Sequence, residues 1–358
     1  MRFNILDLMR FVAALCVVLY HYTAGEYNAS YGFFAEVTKF GYLGVPLFFM
    51  LSGFVISASA LNRTPAEFAI SRLTRLYPTI FVCLSISTLV MVLFGGVEIQ
   101  PSVKQFISNL TLLNTYVGEE YIDGVYWTLL AELKFYFCVF LLLALGLFAK
   151  FKIWLSCWML MTVTFLMFGQ PFFMGWFISP EYSAFFIAGV TFFLAAKNGY
   201  NKFYISLLAL SFIVGNIWET KHADGFMERY APGQLDHIIV FALICSFYTL
   251  FYLISKQRIQ VRKSQFLLIL GGMTYPLYLL HGRIGNIAYK NMTDFDPMLL
   301  LALLISLMLV LSYLVHTYVE KKIANSIKNY LFDILNLYRE RNKVSDLNKD
   351  EKNLIKNT

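Results

Sequence analysis

Apolar stretches long enough to cross a lipid bilayer follow one another along almost the whole 358-residue chain. The residues are 58% hydrophobic and only 14% charged, far from the composition of a soluble domain. This pattern predicts an all-α, polytopic membrane protein with no room for a separate soluble domain. About ten transmembrane helices are expected, near residues 5–24, 40–61, 76–96, 125–148, 152–169, 182–196, 202–218, 237–254, 266–283 and 297–319.

The connecting segments alternate in charge along the chain. Lysine and arginine cluster in residues 63–75, 150–152, 197–202 and 256–263, whereas the intervening connections are acidic. Because basic loops tend to stay in the cytoplasm, this bias assigns these four segments and both termini to the cytoplasmic side. The basic residues form no continuous basic and aromatic face, which argues against nucleic-acid binding.

The chain has no pattern typical of metal ligands. Its five cysteines lie within apolar runs and lack the paired Cys/His spacing of zinc sites. We therefore expect free thiols, no metal and no bound cofactor.

Residues 1–322 are assigned to the transmembrane domain and residues 323–358 to a cytoplasmic tail. In the tail, apolar residues such as Ile323 and Ile327 recur at helical spacing between polar residues. This predicts an amphipathic helix on the inner leaflet. The polar segment from about Lys343 onward is predicted to be disordered.

The first predicted helix carries ionisable residues in an otherwise apolar sequence, LDLMRFVAALCVVLYH. Arg10 and His21 are eleven residues apart, so at about 100° per residue they point the same way and lie roughly 16 Å apart along the axis. Pairing of Asp7 with Arg10 near the interface, and capping by His21, would be a purely structural explanation. A shared polar face inside a membrane instead favours function, with His21 as general base or nucleophile.

Two arginines in the sequence EFAISRLTRLYPTI are the second feature. Arg72 and Arg75 are at positions i and i+3, just before Pro78, which is expected to begin the third span. They can serve as ordinary positive-inside anchors of the membrane topology. The alternative is phosphate binding, because guanidinium groups match phosphate oxygens.

The sequence VYWTLLAELKFYF has Glu132 and Lys134 inside an apolar span. The two side chains are about 200° apart around a helix, so they cannot face the same cavity. Glu132 shares a face with Thr128 and Tyr136 and is the better candidate for a site residue. Lys134 can snorkel or pair with another helix and is given no role.

Two further candidate site residues lie in or just after the last two predicted spans. His281, in GGMTYPLYLLHG, has a depth comparable with that of His21, and it can also be a structural residue at the interface. In LVHTYVEKKI, His316 and Glu320 are at positions i and i+4 where the tenth span reaches the cytoplasm. Glu320 can bind a ligand or pair with a basic neighbour.

In combination, these segments resemble the membrane-bound acyltransferase family 3, the integral-membrane O-acyltransferases of bacterial surface glycans. The resemblance covers about residues 3–322 and rests on six motifs in the family's order. They are LDLMRFVAALCVVLYH, GYLGVPLFFMLSGFVIS, SRLTRLYP, WTLLAELKFYF, YPLYLLHG and YVEKKI. The chain departs from the family pattern at Leu133 and Lys134 and by lacking a proline after Glu320.

The resemblance implies that cytoplasmic acyl-CoA is the donor substrate, with acetyl as the default acyl group. The donor is expected to dock at the inner rim and to extend its acyl group into the membrane interior. The residues expected to bind the donor are Arg10, Arg72, Arg75, His281 and Glu320.

By the same likeness His21 is the catalytic residue, which either deprotonates the acceptor hydroxyl or carries the acyl group covalently. Glu132 is expected to orient the imidazole in the manner of a triad acid. Tyr121, Asp123 and Trp127 are candidates for binding the acceptor, because aromatic and acidic side chains suit sugars. The expected acceptor is a surface or exported polysaccharide, such as O-antigen, or a lipid-linked glycan.

The expected location is the inner membrane of a bacterium, in contact with lipid, and the oligomeric state is left open. A transporter or flippase for glycans or small molecules is the alternative, since polar groups on several helices also suit a translocation path. A membrane scaffold whose buried charges only fix helix packing is a second alternative. Against the transporter stand the lack of an internal repeat and the arginine pair at a helix entrance.

Overall fold

The computed structural model describes residues 4–24, 31–169, 174–230, 237–262 and 264–356. These residues form helices and connecting segments, and none of them is in a β-strand. Ten long helices occupy the positions of the ten predicted spans, and an eleventh follows them. They are α1 (Asn4–Thr23), α2 (Gly44–Ala60), α3 (Pro65–Phe94), α4 (Trp127–Ala144), α5 (Phe151–Phe168), α6 (Pro180–Asn198), α7 (Lys202–Tyr230), α8 (His237–Ser255), α9 (Gln265–Asn291), α10 (Pro297–Val315) and α11 (Asn325–Lys356).

Eight segments of the described chain are long and apolar enough to cross a membrane, which confirms an all-α, polytopic membrane protein. About ten spans were predicted. The two remaining helices, α6 and α9, are as long as a span but contain more polar and small residues. Both pack against several other helices, so these residues face protein rather than lipid.

The long helices form two packed groups. Helix α9 packs against α1, α3 and α10, while α6 packs against α2, α5, α7 and α8, and contacts of α2 with α1 join the groups. Where α2 crosses α6, Gly53 faces the Phe186 carbonyl and Gly189 faces the Met50 carbonyl. A Cβ atom at either glycine would overlap the opposing backbone, so glycine is required for this close crossing.

Helix α3 begins at Pro65 rather than near residue 76, where the third span was predicted. Thr64 caps it: the Thr64 hydroxyl accepts from the Glu67 N–H, and the Glu67 carboxylate accepts from the Thr64 N–H. The helix then continues through Pro78, which was expected to start it. The predicted start was wrong because the cap at Thr64 begins the helix earlier. One proline inside the helix is tolerated because neighbouring helices in the bundle support it. The arginine pair therefore lies within α3.

A π-helical segment, His316–Ala324, joins α10 to α11. Helix α11 packs against α3. The Arg339 guanidinium donates to Glu67 Oε1 (2.8 Å) and to Thr64 Oγ1 (2.8 Å), which ties α11 to the capped end of α3. The C-terminal helix therefore lies beside the arginine-bearing part of α3.

Helix α11 is longer than the sequence predicts. Disorder was expected from about Lys343, whereas the helix continues to Lys356. The physical reason for this correction is that residues 325–358 contain neither proline nor glycine, the residues that most strongly end a helix. Exposed apolar side chains such as Tyr330 and Leu337 give the helix the apolar component expected of an amphipathic helix.

Candidate active site

A cavity of about 700 Å³ lies among α1, α3, α9 and the π-helical segment. We call it the basic vestibule, because its described lining contains six basic side chains and two carboxylates. The basic residues are Arg10, Arg63, Arg72, Arg75, Lys321 and Lys328, and the acidic residues are Asp7 and Glu320. This excess of positive charge suits an anionic ligand that carries several charges.

Arg72 and Arg75, the arginine pair predicted from the sequence, both line the vestibule. Arg72 is buried, and its Nη2 donates to Ser59 Oγ (3.1 Å). Its Nε and Nη1 have no partner among the described residues. Arg75 also lines the cavity beyond the vestibule. Because buried N–H groups without partners are costly, this geometry favours binding of anionic oxygens, as in a phosphate.

Arg63 belongs to the same cluster, although its sequence position indicates only a basic connecting segment. Its Nη1 donates to Ser59 Oγ (2.9 Å) and to Ser71 Oγ (2.7 Å). Lys328, which the sequence assigns to the tail, also lines the vestibule, from α11. Their only sequence signal is positive charge, and the packing of α2 and α11 beside α3 brings them into the site.

Glu320, a predicted donor-site residue, lies in the vestibule wall beside α9. His316 Nδ1 is 2.7 Å from Glu320 Oε2, so the glutamate is paired with a histidine within the π-helical segment. Gly272 faces the His316 ring so closely that any Cβ atom would overlap it, and Gly271 likewise approaches Asp7. Because glycine has no side chain, α9 can pack closely against α1 at Gly271 and against the π-helical segment at Gly272.

A second cavity, of about 90 Å³, continues from the vestibule into the bundle. We call it the central passage, and it shares Arg10, Arg75 and Tyr275 with the vestibule. Arg10 Nη1 donates to Asp7 Oδ1 (3.2 Å), the pairing that the sequence indicates. Arg10 is therefore both paired and exposed to two adjoining cavities.

Glu132 lines the central passage and does not contact the imidazole that it was predicted to orient. Its Oε1 accepts hydrogen bonds from Tyr136 Oη (2.7 Å) and from Ser52 Oγ. Among the described residues, no hydrogen bond or ion pair joins Glu132 to His21. Helix α4 is shifted along α1 so that Glu132 lies at the level of Arg10 and not at the level of His21.

A third cavity, of about 80 Å³, shares Val45 and Tyr278 with the central passage. We call it the histidine chamber, because the exposed side chain of His21 lines it. Its described lining includes five aromatic residues and one carboxylate, that of Glu219. The aromatic residues are Tyr20, Tyr42, Trp127, Tyr182 and Tyr278. The three cavities thus follow one another along α1 from Arg10 to His21.

His281 lies beside His21 and away from the vestibule, which corrects its predicted place in the donor site. The two ring centroids are 5.2 Å apart. His281 is buried, and its Nδ1 donates to the Tyr278 carbonyl (2.8 Å). Its Nε2 has no partner among the described residues. The depth predicted for His281 is correct, whereas its contacts belong to the other end of the site.

The structure places the three residues predicted to bind the acceptor in three different environments. Trp127 lines the histidine chamber, with its ring centroid 4.9 Å from that of Tyr182. Asp123 is buried and directed toward α9, where its Oδ2 accepts from the Arg283 backbone N–H (2.6 Å). Tyr121 is half-buried and is not part of the chamber lining. Of the three, only Trp127 is positioned to touch a ligand in the chamber.

The buried Asp123 gives a testable pH dependence. Burial raises the pKa of its carboxyl from 3.8 to about 6. Because the folded protein then holds this proton more tightly than the unfolded chain, stability should increase as the pH falls from about 6 toward 4. Between about pH 7.5 and 4.5, we expect the melting temperature of the wild type in detergent to rise by a few degrees relative to that of Asp123→Asn. A difference that stays constant over this range would contradict the burial of an ionisable carboxyl.

Lys134, to which the sequence assigns no role, points away from the three cavities. Its Nζ donates to the Gly175 carbonyl (2.5 Å) and lies 5.8 Å from the centroid of the Tyr116 ring. The sequence left two alternatives for Lys134, snorkelling to the interface and pairing with another helix. The structure shows pairing with another helical segment.

The chain is similar to known proteins along most of its length. A family model described as an acyltransferase domain matches residues 3–317. Nodulation protein 10 of Rhizobium leguminosarum bv. viciae is 26% identical over 165 residues, which cover 39% of this chain and 44% of that protein. The chain thus aligns with less than half the length of this curated relative. No solved structure matches the chain.

Proposed function

The chain belongs to the acyltransferase 3 family, and on this premise we propose that it moves an acyl group from acyl-CoA to a hydroxyl group of a glycan. Family membership and the apolar helices make it a multi-pass membrane acyltransferase. The donor, the acceptor and the direction of transfer are what we add to that assignment.

One observation carries the proposal: three adjoining cavities follow α1. The vestibule and the central passage share Arg10, and the chamber contains His21. Eleven residues at 1.5 Å per residue separate these side chains by about 16 Å along the helix axis. The narrow passage between them suits a slender, extended chain, such as the pantetheine arm that carries the thioester of acyl-CoA.

The basic vestibule supports binding of the nucleotide end of CoA, which carries a diphosphate and a ribose phosphate. Arg72 has unpartnered guanidinium N–H groups there, and Arg63 and Lys328 add charge on neighbouring helices. Guanidinium groups bind phosphate oxygens through paired, charge-assisted hydrogen bonds. We assign the vestibule to the cytoplasmic side, because the basic connections of the chain follow the positive-inside bias.

At the other end, His21 supplies the acid–base chemistry of the transfer. Its neutral imidazole takes the proton of the acceptor hydroxyl while the hydroxyl oxygen bonds to the thioester carbonyl. The carbon–sulfur bond then breaks, and CoA leaves as a thiol with that proton. An acyl-imidazole at His21 would move the same group in two steps, with CoA released in the first. Neither route requires an oxidant, a reductant or a metal.

The proposed acyl group is acetyl, the default that the family resemblance implies, and the proposed acceptor is a polysaccharide or lipid-linked glycan at the outer face of the inner membrane. The aromatic lining of the histidine chamber supports a sugar, since the apolar face of a sugar ring packs against aromatic rings. A comparison of surface glycans from the wild-type strain and a gene-deletion strain tests this acceptor class. Loss of O-acyl groups only in the deletion strain is the expected result.

A transporter also has polar groups on several helices, and acyl-CoA chemistry separates the two functions. Purified protein should bind acetyl-CoA and slowly release CoA from it, whereas a transporter for glycans has no reason to do either. Wild-type protein that neither binds nor hydrolyses any acyl-CoA, with unchanged glycans in the deletion strain, would contradict the enzyme.

The topology gives a separate prediction. In a background without native cysteines, single cysteines at Asn62 and Gln257 should be protected from an impermeant thiol reagent added to intact cells. Cysteines at Gly118 and Asp294 should react with it. All four positions are exposed in the structure, so permeabilised cells, in which every site should react, are the control. The reverse labelling pattern would put the vestibule on the outer side and remove access to cytoplasmic CoA.

A further inference from the structure

Glu219 is a buried carboxylate that the sequence does not identify as a site residue. The predicted seventh span ends at residue 218, which would leave Glu219 in an outer acidic loop. Helix α7 instead continues to Tyr230, and Glu219 lies on it with only 1% of its surface exposed. Its Oε1 has no hydrogen-bond partner among the described residues. Burying a carboxylate without a donor costs free energy unless a ligand supplies one.

Glu219, with this unpartnered Oε1, lines the same chamber as His21. Around it are aromatic rings, with the Trp127 and Tyr182 centroids 4.9 Å apart and the Tyr20 and Tyr42 centroids 6.0 Å apart. No Lys or Arg lines this chamber among the described residues, so Glu219 has no cation to neutralise it there. A hydrogen-bond acceptor between aromatic walls suits a neutral ligand that carries hydroxyl groups.

We propose that Glu219 binds the acceptor, by accepting a hydrogen bond from one hydroxyl group of a sugar so that a neighbouring hydroxyl faces His21. This inference rests on the proposed function and names the residue that holds the acceptor in it. Glu219 does not take part in bond making, because the proton of the reacting hydroxyl goes to His21. A chamber of about 80 Å³ admits the edge of one sugar ring with its hydroxyl groups, not an oligosaccharide.

This role predicts a separation of donor and acceptor functions. Glu219 is outside the vestibule and the central passage, so its replacement should leave acyl-CoA binding unchanged. Losing this hydrogen bond leaves a buried polar group of the acceptor without a partner, so glycan acylation should slow by at least about tenfold. Gln keeps one acceptor atom and the side-chain volume, whereas Leu keeps the volume alone. Glu219→Leu should therefore be the more impaired of the two variants.

The experiment uses the full chain with Glu219→Gln, Glu219→Leu and a matched control, Glu181→Gln. Glu181 is a glutamate near the same end of the neighbouring helix α6 that lines none of the three cavities. Acetyl-CoA affinity and acetyl-CoA hydrolysis are measured on purified protein. The initial rate of glycan acylation is measured in a deletion strain after induction of each variant.

We expect both Glu219 variants to bind and hydrolyse acetyl-CoA within about twofold of wild type but to acylate glycan at least about tenfold more slowly. The control should match wild type in all three assays. Normal glycan acylation by the Glu219 variants would overturn the inference, as would a parallel loss of acetyl-CoA binding, which would make Glu219 structural. If instead the wild type neither binds acetyl-CoA nor acylates glycan, the proposed function itself fails.

Discussion

The His21→Ala variant should acylate glycan at least about a hundredfold more slowly than the wild type while still binding acyl-CoA. His21 brings an imidazole nitrogen, which can act as a base, into the chamber, and its ring lines that cavity. Positioned acid–base groups typically contribute factors of about 10² to 10⁴ to a rate. The proposed donor site is the vestibule, about 16 Å away along α1, so affinity for acyl-CoA should change little.

Three measurements on this variant distinguish loss of chemistry from loss of folding. They are the amount of protein in the membrane, the affinity for acetyl-CoA and the rate of glycan acylation. His237→Ala is a matched control, because His237 is an exposed histidine at the start of α8 that lines none of the three cavities. Near-wild-type acylation by His21→Ala would contradict the assignment of acyl transfer to the histidine chamber.

Replacing both Arg72 and Arg75 with Gln should weaken acyl-CoA binding by at least about tenfold. Gln keeps a polar side chain and removes two guanidinium groups, each of which contributes roughly 1.5–3 kcal/mol when hydrogen-bonded to a phosphate. The reacting groups in the chamber are untouched by this change. At saturating acyl-CoA, the double variant should therefore recover more of its acylation rate than His21→Ala does.

The matched control for the arginine pair is the double variant Arg258→Gln, Arg262→Gln. These two arginines follow α8 in a basic connection and line none of the three cavities. If the positive-inside bias alone explained the arginine pair, both double variants would bind acetyl-CoA like the wild type. Weaker binding only in the control would move the donor site to the connection between α8 and α9.

The site residues on a single helix were predictable from the sequence. The direction of a side chain on an α-helix follows from residue number, so the spacing of Arg10 and His21 already indicated one polar face with two widely separated groups. The arginine pair was predictable for the same reason, although its helix was assigned too late a start. Cap chemistry at Thr64 and Glu67 was present in the sequence and would have given the right start.

Contacts between helices were less predictable, because they depend on how far one helix slides along another. Glu132 lines the central passage, but the stagger of α4 against α1 pairs it with Tyr136 and Ser52 instead of with His21. His281 shares the depth of His21, yet only the packing of α9 against α1 shows that the two rings are neighbours. No periodicity within a single helix contains this information.

Glu219 was missed for a different reason, since it lies where an apolar run gives way to polar residues. Hydropathy there predicts the end of a span, whereas the helix continues and turns the carboxylate into the chamber. Asp123 is the opposite case, an acidic residue predicted to meet the acceptor that hydrogen-bonds the backbone of α9 instead. Asp123 and Glu219 differ from the acidic residues of ordinary loops in being buried, not in their charge.

The most direct test of this account is an experimental density map of the protein with a non-hydrolysable thioether analogue of acetyl-CoA. The account predicts phosphate density beside Arg72 and Arg75 in the basic vestibule and the analogue's arm in the central passage. The acyl end should lie within about 4 Å of the His21 ring. Density for the nucleotide in the histidine chamber, or outside the three cavities altogether, would contradict it.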